Sequence, residues 1–220
     1  MRGSSQQATS FEPPKSIQRL AVAGLYLHIP FCTQRCVYCD FYFVTTQKTH
    51  AGYVEALCME IAHYGHEFGE LEPLETIYFG GGTPSLLTLD ELARLVGAIH
   101  QHFDAEGAVE TTLELNPEDA TPAYLRGLRA LGIDRLSIGI QSFFADDLAF
   151  MNRSHGVPEA EAIVPMVRDA GFENFSVDLI FGLPNQPPEH WGANLERAVG
   201  LEIPHLSTYG LTIEERTPLA

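Results

Sequence analysis

The sequence predicts an α/β fold, specifically a partial (β/α)6 barrel that resembles an incomplete TIM barrel. Six strand-like runs alternate with helix-like stretches from residue 21 onward, and this alternation is typical of parallel sheets with helical crossovers. The alternation does not reverse along the chain, which favours a barrel over the alternative, an open doubly wound sheet. In both folds ligands bind at the carboxyl ends of the strands, so the residues that follow each strand are the functional candidates.

The predicted elements are bounded by recognisable start and stop signals. Thr88 and the Thr121-Pro122 pair mark helix starts, and Gly132 and Gly171 mark helix ends. The predicted strands cover residues 22–29, 76–79, 109–115, 135–140, 174–180 and 205–211. The predicted helices cover residues 52–68, 89–103, 122–131, 145–151, 158–170 and 188–199.

Length and composition limit the class of protein. A chain of 220 residues with 45% hydrophobic content is long enough for a sizeable core. We expect residues 1–20 to form a flexible tail and residues 21–220 to form the folded domain. With 13 basic and 29 acidic residues the net charge is −16, which argues against a nucleic-acid or anionic-membrane partner because both require a basic surface. The sequence contains neither a secretory signal nor an apolar run that could span a bilayer, so we expect a cytoplasmic protein.

Three of the four cysteines lie within eight residues, directly after the first predicted strand. Cys32, Cys36 and Cys39 have the spacing C-x3-C-x2-C and belong to the cysteine loop, residues 31–48, which is a long connection without a predicted helix. Three thiolates on one loop can hold three irons of a cubane cluster and leave the fourth iron open to a ligand. The alternative is a zinc site completed by His28 or Cys58, although zinc usually takes two separated pairs of ligands.

This loop resembles that of the radical S-adenosylmethionine (SAM) superfamily. Residues 26–39 read YLHIPFCTQRCVYC, which is similar to the branch that contains oxygen-independent coproporphyrinogen III oxidases and HemW-type haem chaperones. The resemblance extends over residues 22–220 and implies a barrel of the radical SAM type. It also implies that the three cysteines bind a [4Fe–4S] cluster whose unique iron is chelated by SAM. Reductive cleavage of SAM to a 5′-deoxyadenosyl radical would then be the work of the cofactors, which the protein positions.

A run of glycines follows the second predicted strand. Residues 80–84 read GGGTP, and glycines let the backbone approach a ligand closely. The run lacks the G-x-G-x-x-G spacing of a dinucleotide site, and by itself it is equally consistent with a tight turn. The resemblance implies that Gly81, Gly82 and Thr83 contact SAM.

Polar residues near the other strand ends are further candidates. Asp178 lies in an otherwise apolar strand, and because burying an unpaired carboxylate is costly we expect it to face a ligand. Arg153 has a positive charge and a planar guanidinium that can donate two parallel hydrogen bonds to a carboxylate. From the residues alone, however, a surface position is the simpler interpretation. The resemblance implies that the cofactor contacts include Tyr26, Tyr38, Glu114, Gln141, Arg153, Asp178 and Thr212.

Two functions are consistent with this resemblance. The oxidases of the branch extend the motif with a fourth cysteine at the position of Phe41, and they have more than the 25 residues that precede Tyr26 here. Both differences favour a HemW-like chaperone that delivers haem to a respiratory haemoprotein over a coproporphyrinogen III oxidase, whose product is protoporphyrinogen IX. The expected partners are haem or a porphyrinogen, a haem-accepting respiratory protein and an electron donor, while catalysis by this chain stays open. Members of the branch continue into a C-terminal domain, so we expect this chain to be truncated relative to them.

Overall fold

The computed structural model describes residues 23–46, 49–68, 73–184 and 186–220. The expected tail, residues 1–20, lies outside the described residues. Within the described ranges six strands form one sheet: β1 (Ala23–Ile29), β2 (Leu74–Gly81), β3 (Glu110–Leu115), β4 (Arg135–Gln141), β5 (Asn174–Phe181) and β6 (His205–Gly210).

The strands are parallel and lie in the order of the chain, from β1 to β6. This order is that of a barrel and differs from a doubly wound sheet, in which the strand order reverses. Within the described ranges β1 and β6 are not neighbours, so the barrel is open between them. The predicted fold class, a partial (β/α)6 barrel, is therefore confirmed.

In the described part of the chain six α-helices connect the strands, and two of them share the β4–β5 connection. They are α1 (His50–Phe68), α2 (Leu89–His102), α3 (Pro122–Ala130), α4 (Ala145–Phe150), α5 (Val157–Asp169) and α6 (Pro188–Gly200). The predicted start signals act as expected, because Thr88 forms a capping box with Glu91 and the Thr121 hydroxyl accepts from the amide of Tyr124. None of the helices in the described part of the chain is both long and apolar enough to cross a membrane.

The two faces of the sheet have different chemistry. On β4, Leu136, Ile138 and Ile140 are fully buried and belong to the apolar core that packs against the helices. The alternate residues Ser137 and Gln141 line the lumen of the barrel, as the two-residue period of a strand requires. The core therefore lies between sheet and helices, and the lumen is left polar.

Candidate functional site

A cavity of about 680 Å³ opens at the carboxyl ends of the strands. Each of the six strands, or the segment that follows it, contributes to the wall. Twelve of the thirteen candidate residues lie in that wall, namely Cys32, Cys36, Tyr38, Cys39, Gly81, Gly82, Thr83, Glu114, Gln141, Arg153, Asp178 and Thr212. The exception is Tyr26.

The cysteine loop is fastened to the end of β1 and to the glycine run. Cys32 N donates to Val44 O at 3.0 Å, and Val44 N donates to Pro30 O at 2.8 Å. A Cβ at Gly82 would lie 2.7 Å from Phe31 O and 3.0 Å from Cys32 Sγ. Only glycine therefore lets the two loops approach this closely.

The thiols of the loop are reduced and partly buried. Burial raises the pKa of the Cys32 thiol, and a hydrogen bond from the Thr83 hydroxyl, 3.6 Å away, opposes this increase. Burial likewise raises the pKa of the Cys39 thiol, against the opposing effect of the Phe41 backbone amide. Both thiols are therefore protonated near neutral pH and release protons when a metal binds.

The donor set fits an iron–sulfur cluster better than a single zinc ion. Among the described residues no three side chains of His, Cys, Asp or Glu converge on one metal position. Cys58 lies on α1 and packs against the core. His28 Nδ1 lies 3.1 Å from Tyr26 OH and its Nε2 lies 3.4 Å from Tyr42 O. Neither residue lines the cavity with the three cysteines as a fourth zinc ligand. A cubane cluster of this kind instead takes one thiolate at each of three irons and leaves the fourth iron open to another ligand, and the three thiols around one cavity meet that requirement.

Arg153 connects the cysteine loop with the ends of β3 and β4. Its Nη1 lies 3.5 Å from Cys36 Sγ and from Tyr38 OH, and its Nη2 donates to Asn116 Oδ1 at 2.7 Å and to Gly139 O at 3.0 Å. Burial lowers the pKa of Arg153, but Tyr38 and Cys36 outweigh burial and leave it above its ordinary value. The site therefore contains a permanent, partly buried cation, and the simpler surface interpretation of this residue is wrong.

Glu114 is held by two donors at the end of β3. Tyr78 OH donates to its Oε1 at 2.9 Å, and Gly81 N donates to its Oε2 at 3.0 Å. Burial raises the pKa of Glu114, while these two hydrogen bonds act against that increase. Gly81 has a φ of +117°, and a Cβ there would lie 2.7 Å from the His28 ring, so the donating amide depends on glycine.

Three buried polar atoms around the cavity lack a hydrogen-bond partner among the described residues. They are Gln141 Oε1, Arg153 Nε and Asp178 Oδ1. Gln141 also has a left-handed φ of +67°, a strained conformation for a residue other than glycine. Buried polar atoms normally have a hydrogen-bond partner. The three atoms here belong to a guanidinium cation, a carboxylate and an amide. The cavity is therefore suited to a ligand with both charges, such as the amino-acid end of SAM.

Tyr26 and Tyr38 lie in different surroundings. Tyr38 is largely buried beside Arg153, and burial raises its pKa well above the ordinary value. Tyr26 is 56% exposed on β1 and stacks on Tyr78 with ring centroids 5.9 Å apart. The structure thus brings Tyr38 into the cavity wall and leaves Tyr26 at the open side of the barrel, outside that wall.

Two residues that the sequence interpretation did not assign are part of the site. Asn116 accepts from Arg153, and Tyr78 donates to Glu114. Asn116 is the first polar residue after β3, a position that the strand-end rule covers. Tyr78 carries no such signal, because it lies inside a strand and its partner is 36 residues away.

The family model of the radical SAM superfamily matches residues 26–198. The chain belongs to the radical SAM superfamily. The predicted resemblance is thereby confirmed, and it fits a cysteine loop and a polar cavity at the carboxyl ends of a partial barrel.

Curated relatives within this superfamily carry the name haem chaperone HemW. The protein of Synechocystis sp. is 38% identical over 205 residues, which are 90% of this chain and 49% of the relative. That of Escherichia coli is 34% identical over 201 residues, 90% of this chain and 53% of the relative. This radical SAM chain therefore spans about half the length of the curated relatives that it matches.

A solved radical SAM structure has a similar fold. Coproporphyrinogen III oxidase (HemN) from Escherichia coli superimposes with a TM-score of 0.80 at 31% identity, over 92% of this chain and 48% of that one. Radical SAM proteins of both kinds, the chaperone and the oxidase, are thus similar to this chain.

Proposed function

We propose that this chain is the radical SAM domain of a HemW-like haem chaperone, with a [4Fe–4S] cluster and SAM as its cofactors. The observation that supports the cofactors is that three thiols, a partly buried arginine and two carboxylates line one cavity. The haem-chaperone role is supported by the names of the curated relatives. Because the chain spans about half of their length, haem delivery is proposed for the whole protein.

In this proposal Cys32, Cys36 and Cys39 each hold one iron of the cluster. When bound, the cluster supplies the electron for the reductive cleavage of SAM. The Arg153 cation, 3.5 Å from Cys36 Sγ, offsets the negative charge that the thiolates acquire on ligation. Tyr38 packs beside it and reduces the access of water to this side of the loop.

The remaining wall residues bind and orient SAM. Arg153 pairs with the carboxylate of the ligand, and the backbone of Gly81 and Gly82 lies where only glycine permits close approach. Glu114, Gln141 and Asp178 supply acceptors for the ammonium group and the ribose hydroxyls. Thr212 completes the wall after β6, and the exposed Tyr26 would reach SAM only from the open side of the barrel.

The alternative function is that of an oxygen-independent coproporphyrinogen III oxidase, which the similarity to HemN favours. Phe41 argues against it, because it stands where the oxidases have a fourth cysteine. Its side chain is 73% exposed and lies at the cavity wall. We therefore propose haem as the ligand, a respiratory haemoprotein as its acceptor and a separate protein as the electron donor.

The cofactor proposal is tested by anaerobic reconstitution of the chain with iron and sulfide. We expect on the order of four irons per chain and an electron paramagnetic resonance (EPR) signal of a reduced [4Fe–4S] cluster. Serine at Cys32, Cys36 or Cys39 should abolish the signal, whereas Cys58→Ser, in the core-facing helix α1, should retain it. Fewer than about three irons per chain, or zinc in their place, would contradict the proposal.

The functional proposal is tested by two incubations of the reconstituted protein, with a full-length HemW as control. Titration with haemin should give a saturable absorbance change, with haem retained on gel filtration. Incubation with SAM, a reductant and coproporphyrinogen III should give no protoporphyrinogen. Product formation in the second incubation would replace the chaperone proposal by the oxidase.

A further inference from the structure

The turn that follows α4, residues 151–155 (the α4 turn), is joined to the cysteine loop by three hydrogen bonds of Met151 and Asn152, in addition to the contacts of the Arg153 guanidinium. Val37 N donates to Met151 O at 3.2 Å. Gln34 Nε2 donates to Asn152 O at 2.9 Å, and Asn152 Nδ2 donates back to Arg35 O at 2.6 Å. The loop that carries the three cysteines thus rests on two consecutive residues of this turn.

Asn152 has a backbone conformation that few residues adopt. Its φ is +54°, in the left-handed region that asparagine tolerates better than most side chains. The conformation points its carbonyl and its amide group at the same stretch of the cysteine loop. Asn152 therefore both shapes the α4 turn and attaches the loop to it.

The other end of the α4 turn is held by Glu118, in the short 3-10 turn after β3. Ser154 Oγ donates to Glu118 Oε1, and His155 Nδ1 lies 3.4 Å from Glu118 Oε2. The His155 side chain is fully buried, and its Nε2 lies 2.9 Å from Ile140 O. Burial alone would raise the pKa of Glu118, but His155 and Ser154 outweigh it and hold the pKa below its ordinary value.

Arg153 lies between these two attachments. Its guanidinium contacts Cys36 on one side and Asn116 on the other, and its backbone amide donates to Leu148 O of α4 at 3.0 Å. A shift of either neighbour moves the only cation that touches both the cysteine loop and the end of β3 within the described part of the chain.

We propose that Asn152 and Glu118 are positioning residues, which hold the α4 turn so that Arg153 keeps the cysteine loop in register with the SAM side of the cavity. The identity of the two ligands rests on the proposed function, whereas the registration of the loop concerns this chain alone. Neither Asn152 nor Glu118 lines the cavity, so each acts through Arg153 and the cysteine loop.

The variants that test this role are Asn152→Ala and Glu118→Ala, each with a matched partner. Glu202→Ala is the control for Asn152, because Glu202 also has a left-handed φ, +53°, but lies before β6 at the opposite end of the barrel. Glu118→Gln is the conservative rescue, because glutamine has nearly the same shape, its oxygen still accepts from Ser154 Oγ and its amide group stays within reach of His155 Nδ1.

The first measurement needs no cofactor. In the metal-free chain, Asn152→Ala should raise the rate at which iodoacetamide alkylates Cys36 by on the order of tenfold, because the loop is released. Glu202→Ala should leave that rate unchanged, even if both variants lower the melting temperature equally. Equal alkylation rates in the two variants would overturn the positioning role, whether or not the proposed cofactors bind.

The second measurement uses the reconstituted protein. Glu118→Ala should raise the Kd for SAM, measured by calorimetry, by on the order of tenfold and weaken the change that SAM causes in the EPR spectrum. Glu118→Gln should restore both to within about twofold of the parent. An unchanged Kd for SAM and an unchanged EPR spectrum in Glu118→Ala would overturn the positioning role. A parent protein that binds neither iron nor SAM would refute the proposed function instead, and the alkylation rates would then decide the positioning role.

Discussion

Tyr78 and Glu114 form a hydrogen bond inside the barrel, in which the Tyr78 hydroxyl donates to Glu114 Oε1 at 2.9 Å. Burial and the adjacent carboxylate raise the pKa of Tyr78 far above its ordinary value, so the hydroxyl stays a donor at any physiological pH. Burial also raises the pKa of Glu114, against the effect of this bond. The ionisation of Glu114 therefore depends on the balance between burial and its hydrogen bonds, and removal of the Tyr78 hydroxyl oxygen alone would change that balance.

Tyr78→Phe should shift the pH dependence of SAM binding. Loss of the Tyr78 hydroxyl removes a hydrogen bond that opposes the effect of burial, so the pKa of Glu114 rises further. If SAM binding uses the Glu114 carboxylate, protonation of Glu114 at acid pH weakens the binding. The pH at which half of the affinity for SAM is lost should therefore move upward by about half a pH unit or more in Tyr78→Phe. Calorimetric Kd values for SAM across the acid range measure the midpoint.

Tyr124→Phe is the matched control for this change. Tyr124 is likewise largely buried, has a raised pKa and donates to a backbone oxygen, that of Leu87, at 2.9 Å, but it lies on α3 outside the cavity. Coincident midpoints for the parent, Tyr78→Phe and Tyr124→Phe would show that Glu114 does not take part in binding.

Asp178→Asn should stabilise the ligand-free chain and weaken its binding of SAM. Burial raises the pKa of Asp178, and its Oδ1 has no partner among the described residues. Replacing the charge by an amide should add about 1 kcal/mol to the free energy of unfolding near neutral pH, since the desolvation cost falls. The Kd for SAM should rise by roughly tenfold, because the acceptor loses its charge.

The pH dependence of this stability gain has a definite sign. A carboxyl whose pKa is raised on folding stabilises the folded state fully below its ordinary value of 3.8, and this contribution is lost as the pH rises through the raised value. The difference in unfolding free energy between Asp178→Asn and the parent should therefore be small in acid and largest near neutral pH. Urea unfolding at both pH values measures it, and a variant that is less stable than the parent at neutral pH would contradict the argument.

The elements of the fold could be predicted because their signals are local. Thr88 and Thr121 cap helices through bonds to residues three positions ahead, and Gly132 and Gly171 end helices with a φ of +88°. All predicted element bounds agree with the structure to within two residues. Strand β2 was predicted too short, because its continuation into Gly80 and Gly81 depends on pairing with His28 and Ile29 of β1.

The site could be predicted only in part, because its geometry arises from distant segments. The three cysteines carry their spacing within one loop, but Arg153 contacts Cys36 across 117 positions of the chain. Neither its burial nor the role of Asn116 follows from neighbouring residues. Tyr26 matches the motif in sequence, yet the structure leaves it 56% exposed and outside the cavity wall.

Gly82→Ala should displace the cysteine loop. Its Cβ would lie 2.8 Å from Pro30 C and 3.0 Å from Cys32 Sγ, and because the first contact is with backbone, no rotamer change relieves it. We expect a loss of about 1–3 kcal/mol in unfolding free energy and fewer irons per reconstituted chain.

Gly97→Ala is the matched control, since Gly97 lies within α2 and a Cβ there meets nothing within 4 Å. It should raise the free energy of unfolding by about 0.5–1 kcal/mol, because alanine is the better helix former, and leave the iron content unchanged. Thermal denaturation and iron analysis of both variants decide the matter. Equal iron content in Gly82→Ala and Gly97→Ala would mean that the cysteine loop binds iron without its close contact to the glycine run.

Thr83→Val should make Cys32 less acidic. The Thr83 hydroxyl donates to Cys32 Sγ at 3.6 Å and thereby lowers a pKa that burial has raised. Valine keeps the shape and removes the donor, so the pKa rises further and the pH midpoint of Cys32 alkylation in the metal-free chain should move up by roughly half a pH unit. Mass spectrometry after timed iodoacetamide treatment resolves the individual cysteines.

Cys58 serves as the internal reference in that measurement, because it lies on α1 and its pKa, raised by burial, has no contribution from Thr83. Thr83→Ser should restore the parent profile, since serine retains the donating hydroxyl. A parallel shift of Cys32 and Cys58 would indicate a general loss of structure, and an unshifted Cys32 would show that the hydroxyl does not stabilise the thiolate. A selective shift would establish that the glycine run tunes the first cysteine of the loop as well as packing against it.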